Sequence, residues 1–132
     1  MNIDDHLQSI KESLEEIEEA IKKGIEFRQR TIGFHTSVSA CDMLEALLHK
    51  LGLVNPGFVV KHDWFNSMNK VREKIFMDLK KEKIISLMQE IEKQRNLLCY
   101  GKPKSKETIA EVIKKFNELK EVFVEAGLNE IE

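Results

Sequence analysis

The sequence predicts an all-α domain, an up-and-down bundle of four to five helices that takes in residues 1–132 as a single unit. Three observations predict it. Lys, Glu, Ile and Leu dominate, while the whole chain has only two Pro and six Gly to break helices. Apolar residues recur at steps of three and four in several separate stretches, which is the period of an amphipathic helix. Finally, residues 34–53, FHTSVSACDMLEALLHKLGL, carry only Asp42, Glu45 and Lys50 as formal charges. Phe34, Val38, Ala40, Cys41, Met43, Leu44, Leu47, Leu48 and Leu51 cover most of a helical circumference there. A helix apolar on so many sides belongs at the centre, with neighbours on two or three faces. One polar row interrupts it, His35, Ser39, Asp42, Glu45 and His49, at steps of three or four.

The first helix is expected to begin near Asp4 or Asp5, acids suited to an N-cap and a first turn. Leu7, Ile10, Leu14, Ile17 and Ile21 form its stripe, and the opposite side is rich in Glu. Its end falls at Gly24 or runs on to about residue 30. The second helix covers residues 31–51, with Gly52 placed to close it in the left-handed conformation. Asn55-Pro56-Gly57 is a turn signal, and Phe58, Val59 and Val60 read as a short extended piece over the core. A third helix starts at Asp63, with Trp64, Phe65, Met68, Val71, Ile75, Phe76 and Leu79 on its apolar side. A break is predicted in residues 77–83, because one helix from 63 to 100 would span about 55 Å, too long for this domain. The fourth helix, residues 81–100, has Ile84, Met88, Ile91 and Leu98 on one face and ends at Gly101 and Pro103. Ser105 caps the fifth, whose stripe is Ile109, Val112, Ile113, Phe116, Leu119, Val122 and Phe123, stopped by Gly127.

A net charge of −2 gives no global attraction to nucleic acid. The charge is uneven, however. Residues 1–21 hold seven acids against Lys11, whereas Lys102, Lys104 and Lys106 crowd one turn. Cys41 and Cys99 sit among apolar neighbours and read as reduced core thiols of a cytoplasmic protein. The opening MNIDDHLQSI lacks the apolar run of a signal peptide, and no stretch approaches the ~20 apolar residues of a membrane span. No membrane association is therefore expected.

The common catalytic and cofactor motifs are absent: no phosphate-cradling glycine loop, HExxH, CxxC or GxSxG. No cofactor and no metal set is predicted. His35 and His49 share a helix but stand about four turns apart, too far to hold one ion. The residue that departs from a plain bundle is Arg95, which falls on the apolar face of the fourth helix. A guanidinium does not shed its charge, and burying one unpaired is costly. Arg95 therefore needs a carboxylate, for which Asp42 and Glu45 are candidates, or an open groove, or a subunit interface.

The run Arg95-Asn96-Leu97-Leu98-Cys99-Tyr100-Gly101 closes a helix and is followed by a Pro-containing turn and a last amphipathic helix. It resembles the HEPN domain family (higher eukaryote and prokaryote nucleotide-binding). The small-residue second helix ending DMLEALLHKLG and the order of the helices over residues 8–125 are similar too. That family's hallmark is an Arg, often followed by a polar residue, then four to six residues, then His. Arg95 and Asn96 match the first half. Tyr100 stands where the His is expected, and no His follows it.

The resemblance implies nucleotide or RNA phosphate binding through Arg95, Asn96, Lys102 and Lys104. In ribonuclease members it implies a metal-independent cut by the ribose 2′-hydroxyl, with Arg95 stabilising phosphate charge and Tyr100 in place of the proton-moving His. Tyr titrates near pH 10, so the departure points to a non-catalytic or weakened member, with His35, Asp42 and Glu45 as possible support. The resemblance further implies a homodimer with the Arg motifs facing across the interface, and a nucleotidyltransferase partner in a toxin–antitoxin pair. The alternative is an interaction module without ligand chemistry, in which Arg95 is a bridge inside the fold and the acidic first helix is the partner surface.

Overall fold

The computed structural model describes residues 2–75 and 81–132. Among the described residues five helices make up the bundle: α1 (Ile3–Lys23), α2 (Gln29–Lys50), α3 (Met68–Lys74), α4 (Lys81–Cys99) and α5 (Lys106–Glu125). The fold is all-α, as the helical period predicts. No helix among the described residues is long and apolar enough to cross a membrane.

Each helix end has a local cause. The Asn2 side chain accepts the Asp5 amide at 2.9 Å, which makes Asn2 the cap and leaves Asp4 and Asp5 in the first turn, where they complement the helix dipole. Gly24, at φ 104°, turns the chain out of α1. Ser105 caps α5 by accepting the Thr108 amide at 3.1 Å. The expected start at Asp63 is corrected: a 3₁₀ turn, His62–Asn66, comes first, and α3 begins after Ser67. Ser67 is extended, with its hydroxyl accepting the Lys70 amide, and this separates the two. Phe76, Leu79 and most of the predicted break in residues 77–83 lie outside the described residues; 81–83 are already in α4.

α2 is the central helix and packs on α1, α4 and α5. Met43, Leu44, Leu47 and Leu48 from α2 meet Ile84, Met88 and Ile91 from α4 and Phe116 and Phe123 from α5 in one buried cluster. Ile10 and Ile17 of the expected α1 stripe are buried as predicted, and the other three positions are each displaced by one residue. His6, Ile10, Ser13, Ile17 and Ala20 are buried, while Leu7 and Leu14 are half-buried and Ile21 is exposed. The reason lies on α2: its polar row faces α1, so polar residues of α1 turn inward to meet it. His35 Nδ1 lies 3.2 Å from Ser13 Oγ, and His6 Nδ1 lies 3.2 Å from Asp42 Oδ1.

The segment between α2 and α3 has no strand. The buried Val60 donates its amide to Glu45 Oε1 of α2, so this strap is anchored by a side chain and not by a sheet. At the C-terminus Lys50 Nζ donates to Gly127 O at 2.6 Å and Glu130 Oε1 at 2.7 Å, fastening the last turn, Asn129–Ile131, to α2.

Candidate functional site

The last turn of α4 crosses the start of α2 unusually closely. Gly33 makes this possible, because a Cβ there would stand 2.7 Å from Leu98 Cβ and 3.2 Å from Cys99 Sγ. The same junction is held by one amide side chain. Gln29 Nε2 donates to Leu98 O at 3.1 Å, and Gln29 Oε1 accepts the Lys104 amide at 2.6 Å. The segment from Arg95 to Lys104 is thereby fixed on α2.

Arg95 is half-buried at this junction. Its Cζ lies 6.0 Å from the centroid of the Phe34 ring, at the outer limit of a cation–π contact. Together with Ser37, Val38 and Cys41 of α2 and Val60 and His62 of the strap, Phe34 and Arg95 line a cavity of about 180 Å³. Phe34 is 46% exposed, so this cavity has an aromatic side chain open to solvent, and Tyr100, just past the end of α4, is 65% exposed.

The acids that Arg95 would be expected to recruit are committed elsewhere. Asp42 and Glu45 face His6, at 3.2 and 2.9 Å. Glu92, one turn before Arg95 on α4, is buried; His62 Nδ1 approaches its two oxygens at 2.8 and 3.0 Å, and Asn66 Nδ2 donates to it at 2.9 Å. Among the described residues no carboxylate forms an ion pair with Arg95. The expected alternative of an Arg95–Asp42 or Arg95–Glu45 bridge is thus corrected, because histidines took those acids first. Likewise His35 is turned to Ser13 of α1. Asn96 and Lys102 are exposed, and Lys104 is half-buried beside its Gln29 contact.

His62, Glu92, Phe34 and Gln29 were not singled out as site residues. Glu92 carried a signal, a carboxylate one helical turn before Arg95. His62 and Gln29 carried none, since their partners are remote in sequence. Removing Glu92 leaves the Asn66 amide and the His62 ring without their acceptor. Glu92→Ala is expected to lower stability by about 1–3 kcal/mol, read as a lower urea midpoint; an unchanged midpoint would mean the strap is held without it.

Burial disfavours the thiolate form of both cysteines. Burial, reinforced by Asp42, Glu92 and Glu45, pushes the Cys41 thiol up to about 12, with Arg95 opposing. Burial also raises Cys99, opposed by Arg95 and Arg30. Thiolate is the reactive form, so at pH 8 Cys41 should resist iodoacetamide in the folded protein and react only on unfolding, as followed by mass spectrometry. Rapid alkylation of folded protein at Cys41 would contradict this environment.

No family model matches the chain, and neither a curated protein nor a solved structure matches it.

Proposed function

We propose that this chain is a HEPN-like module that binds the phosphate of a nucleotide or of single-stranded RNA through Arg95. The observation that carries the reading is the guanidinium itself: half-buried, without a carboxylate partner among the described residues, and set beside an exposed aromatic ring. A phosphate would satisfy its charge with paired hydrogen bonds, while Phe34 offers a face for a base. Asn96, Lys102 and Lys104 follow on the adjoining turns and extend the polar, positive edge.

The module acts as a homodimer, with exposed Phe34, Leu97 and Tyr100 near the seam that brings two Arg95 side chains together. Its physiological partner is a nucleotidyltransferase in a toxin–antitoxin pair. Cleavage is absent or weak, because Tyr100 replaces the proton-transferring His. The test is a titration of labelled single-stranded RNA and of a nucleoside triphosphate against wild type and Arg95→Ala. Binding lost on substitution supports the reading; equal binding by both proteins removes it. RNA incubated with wild type in EDTA is expected to stay intact, and cleavage that Tyr100→Phe abolishes would instead make this an active nuclease.

A further inference from the structure

The seam between α1 and α2 holds chemistry that the Arg95 groove does not use. Glu45 and His49 are four residues apart on α2 and so share one face, one turn apart. His6 reaches them from the start of α1. One donor atom from each of the three residues lies within 4.8 Å of the others. His6 is 3% exposed and Glu45 is 6% exposed, while His49 is half-buried at the edge of the seam.

Two of the three donors are already oriented by a second contact. Asp42 Oδ1 lies 3.2 Å from His6 Nδ1, which places the proton of a neutral ring on Nδ1 and leaves the lone pair on Nε2. Glu45 Oε1 accepts the Val60 amide, leaving Oε2 directed inward. His6 Nε2 and Glu45 Oε2 then stand 2.9 Å apart, two acceptors facing each other. Such a pair needs a positive charge between it. Buried His6 Nε2 has no aligned hydrogen bond, and neither does the buried Nε2 of His49. A proton on His6 would serve Glu45 and leave the His49 nitrogen orphaned. A single cation serves all three donors.

We propose that His6, Glu45 and His49 form a binding site for one divalent transition-metal ion, with Zn²⁺ as the best match. Two imidazoles and one carboxylate are a donor set that zinc takes, leaving a fourth position for water. The His6–Asp42 contact is the carboxylate–histidine arrangement that orients metal-bound imidazoles. The charges also close: Asp42 and Glu45 balance a divalent ion with both histidines neutral. Donors around a tetrahedral ion at about 2.0–2.1 Å lie roughly 3.4 Å from one another, so the 2.9 Å His6–Glu45 pair has to open slightly, while the His49 ring, now within 20° of parallel to that of His6, turns in toward the ion. The half-buried His49 marks the open side.

This inference is independent of the Arg95 reading. The test uses untagged protein, stripped with EDTA and dialysed, with Zn²⁺ titrated calorimetrically and Co²⁺ followed by visible absorption. Wild type is expected to bind one ion per chain, to develop the intense bands of low-coordinate Co²⁺, and to melt higher with Zn²⁺ than without. His49→Ala, at a position open enough for the fold to tolerate it, is expected to weaken binding at least 100-fold. Asp42→Asn is expected to weaken it about 10- to 100-fold, while both variants keep the wild-type helical circular dichroism. Absence of stoichiometric binding by wild type would overturn the site. So would His49→Ala binding as tightly as wild type, since the ion would then sit elsewhere.

Discussion

Arg95→Ala is expected to weaken binding of single-stranded RNA by about 10- to 100-fold. Hydrogen bonds to a charged group contribute about 1.5–3 kcal/mol, and among the described residues no acid pairs with this guanidinium. Because no carboxylate among the described residues neutralises its positive charge, removing it should also flatten the salt dependence of binding, by roughly one phosphate contact's worth of slope. Arg95→Lys separates charge from shape. It keeps the point charge but loses the planar fork, so the salt slope should survive while affinity falls to an intermediate value. The fold should be indifferent to either change, since among the described residues Arg95 makes no ion pair that stabilises the bundle. A large drop in melting temperature for Arg95→Ala, with unchanged RNA affinity, would turn the residue into a structural one.

Gly33→Ala is expected to destabilise the protein by about 1–3 kcal/mol, the range for overpacking a tight core. Elsewhere in a helix the same change would help by up to about 1 kcal/mol. Here the added carbon would stand 2.7 Å from Leu98 Cβ, an atom rooted in the α4 backbone and unable to swing aside. α4 must back away, and it carries Arg95 with it. The melting temperature should fall by about 3–15 °C, and RNA affinity should fall too although residue 33 touches no ligand. A more stable Gly33→Ala protein would show that the junction gives way easily.

Much of this molecule is legible in its residues. The order of the helices, the central place of α2 and the singularity of Arg95 all follow from spacing and polarity, because a helix repeats often enough for its buried side to declare itself. The polar row of α2 was visible as well. Its counterpart was not, because His6 and Ser13 lie beside the apolar stripe of α1 and look solvent-facing until α2 is opposite them. Pairings of this kind are decided between elements, where sequence spacing gives no measure of distance. The same holds for Gly33: nothing local distinguishes a glycine tolerated in a helix from one required by a neighbouring helix. It holds too for the acids near Arg95, since which cation claims a carboxylate depends on loops arriving from elsewhere in the chain.

Glu45 has two oxygens and divides them, one for the backbone at Val60 and one for the histidines of α1 and α2. Val60 is also part of the wall around Arg95. A single carboxylate therefore joins two chemistries that flank it on α2. Whatever occupies one flank bears on the posture of the other, so a protein titrated on its histidine side should report the event in the ring-current shifts of Phe34, far outside the coordination sphere.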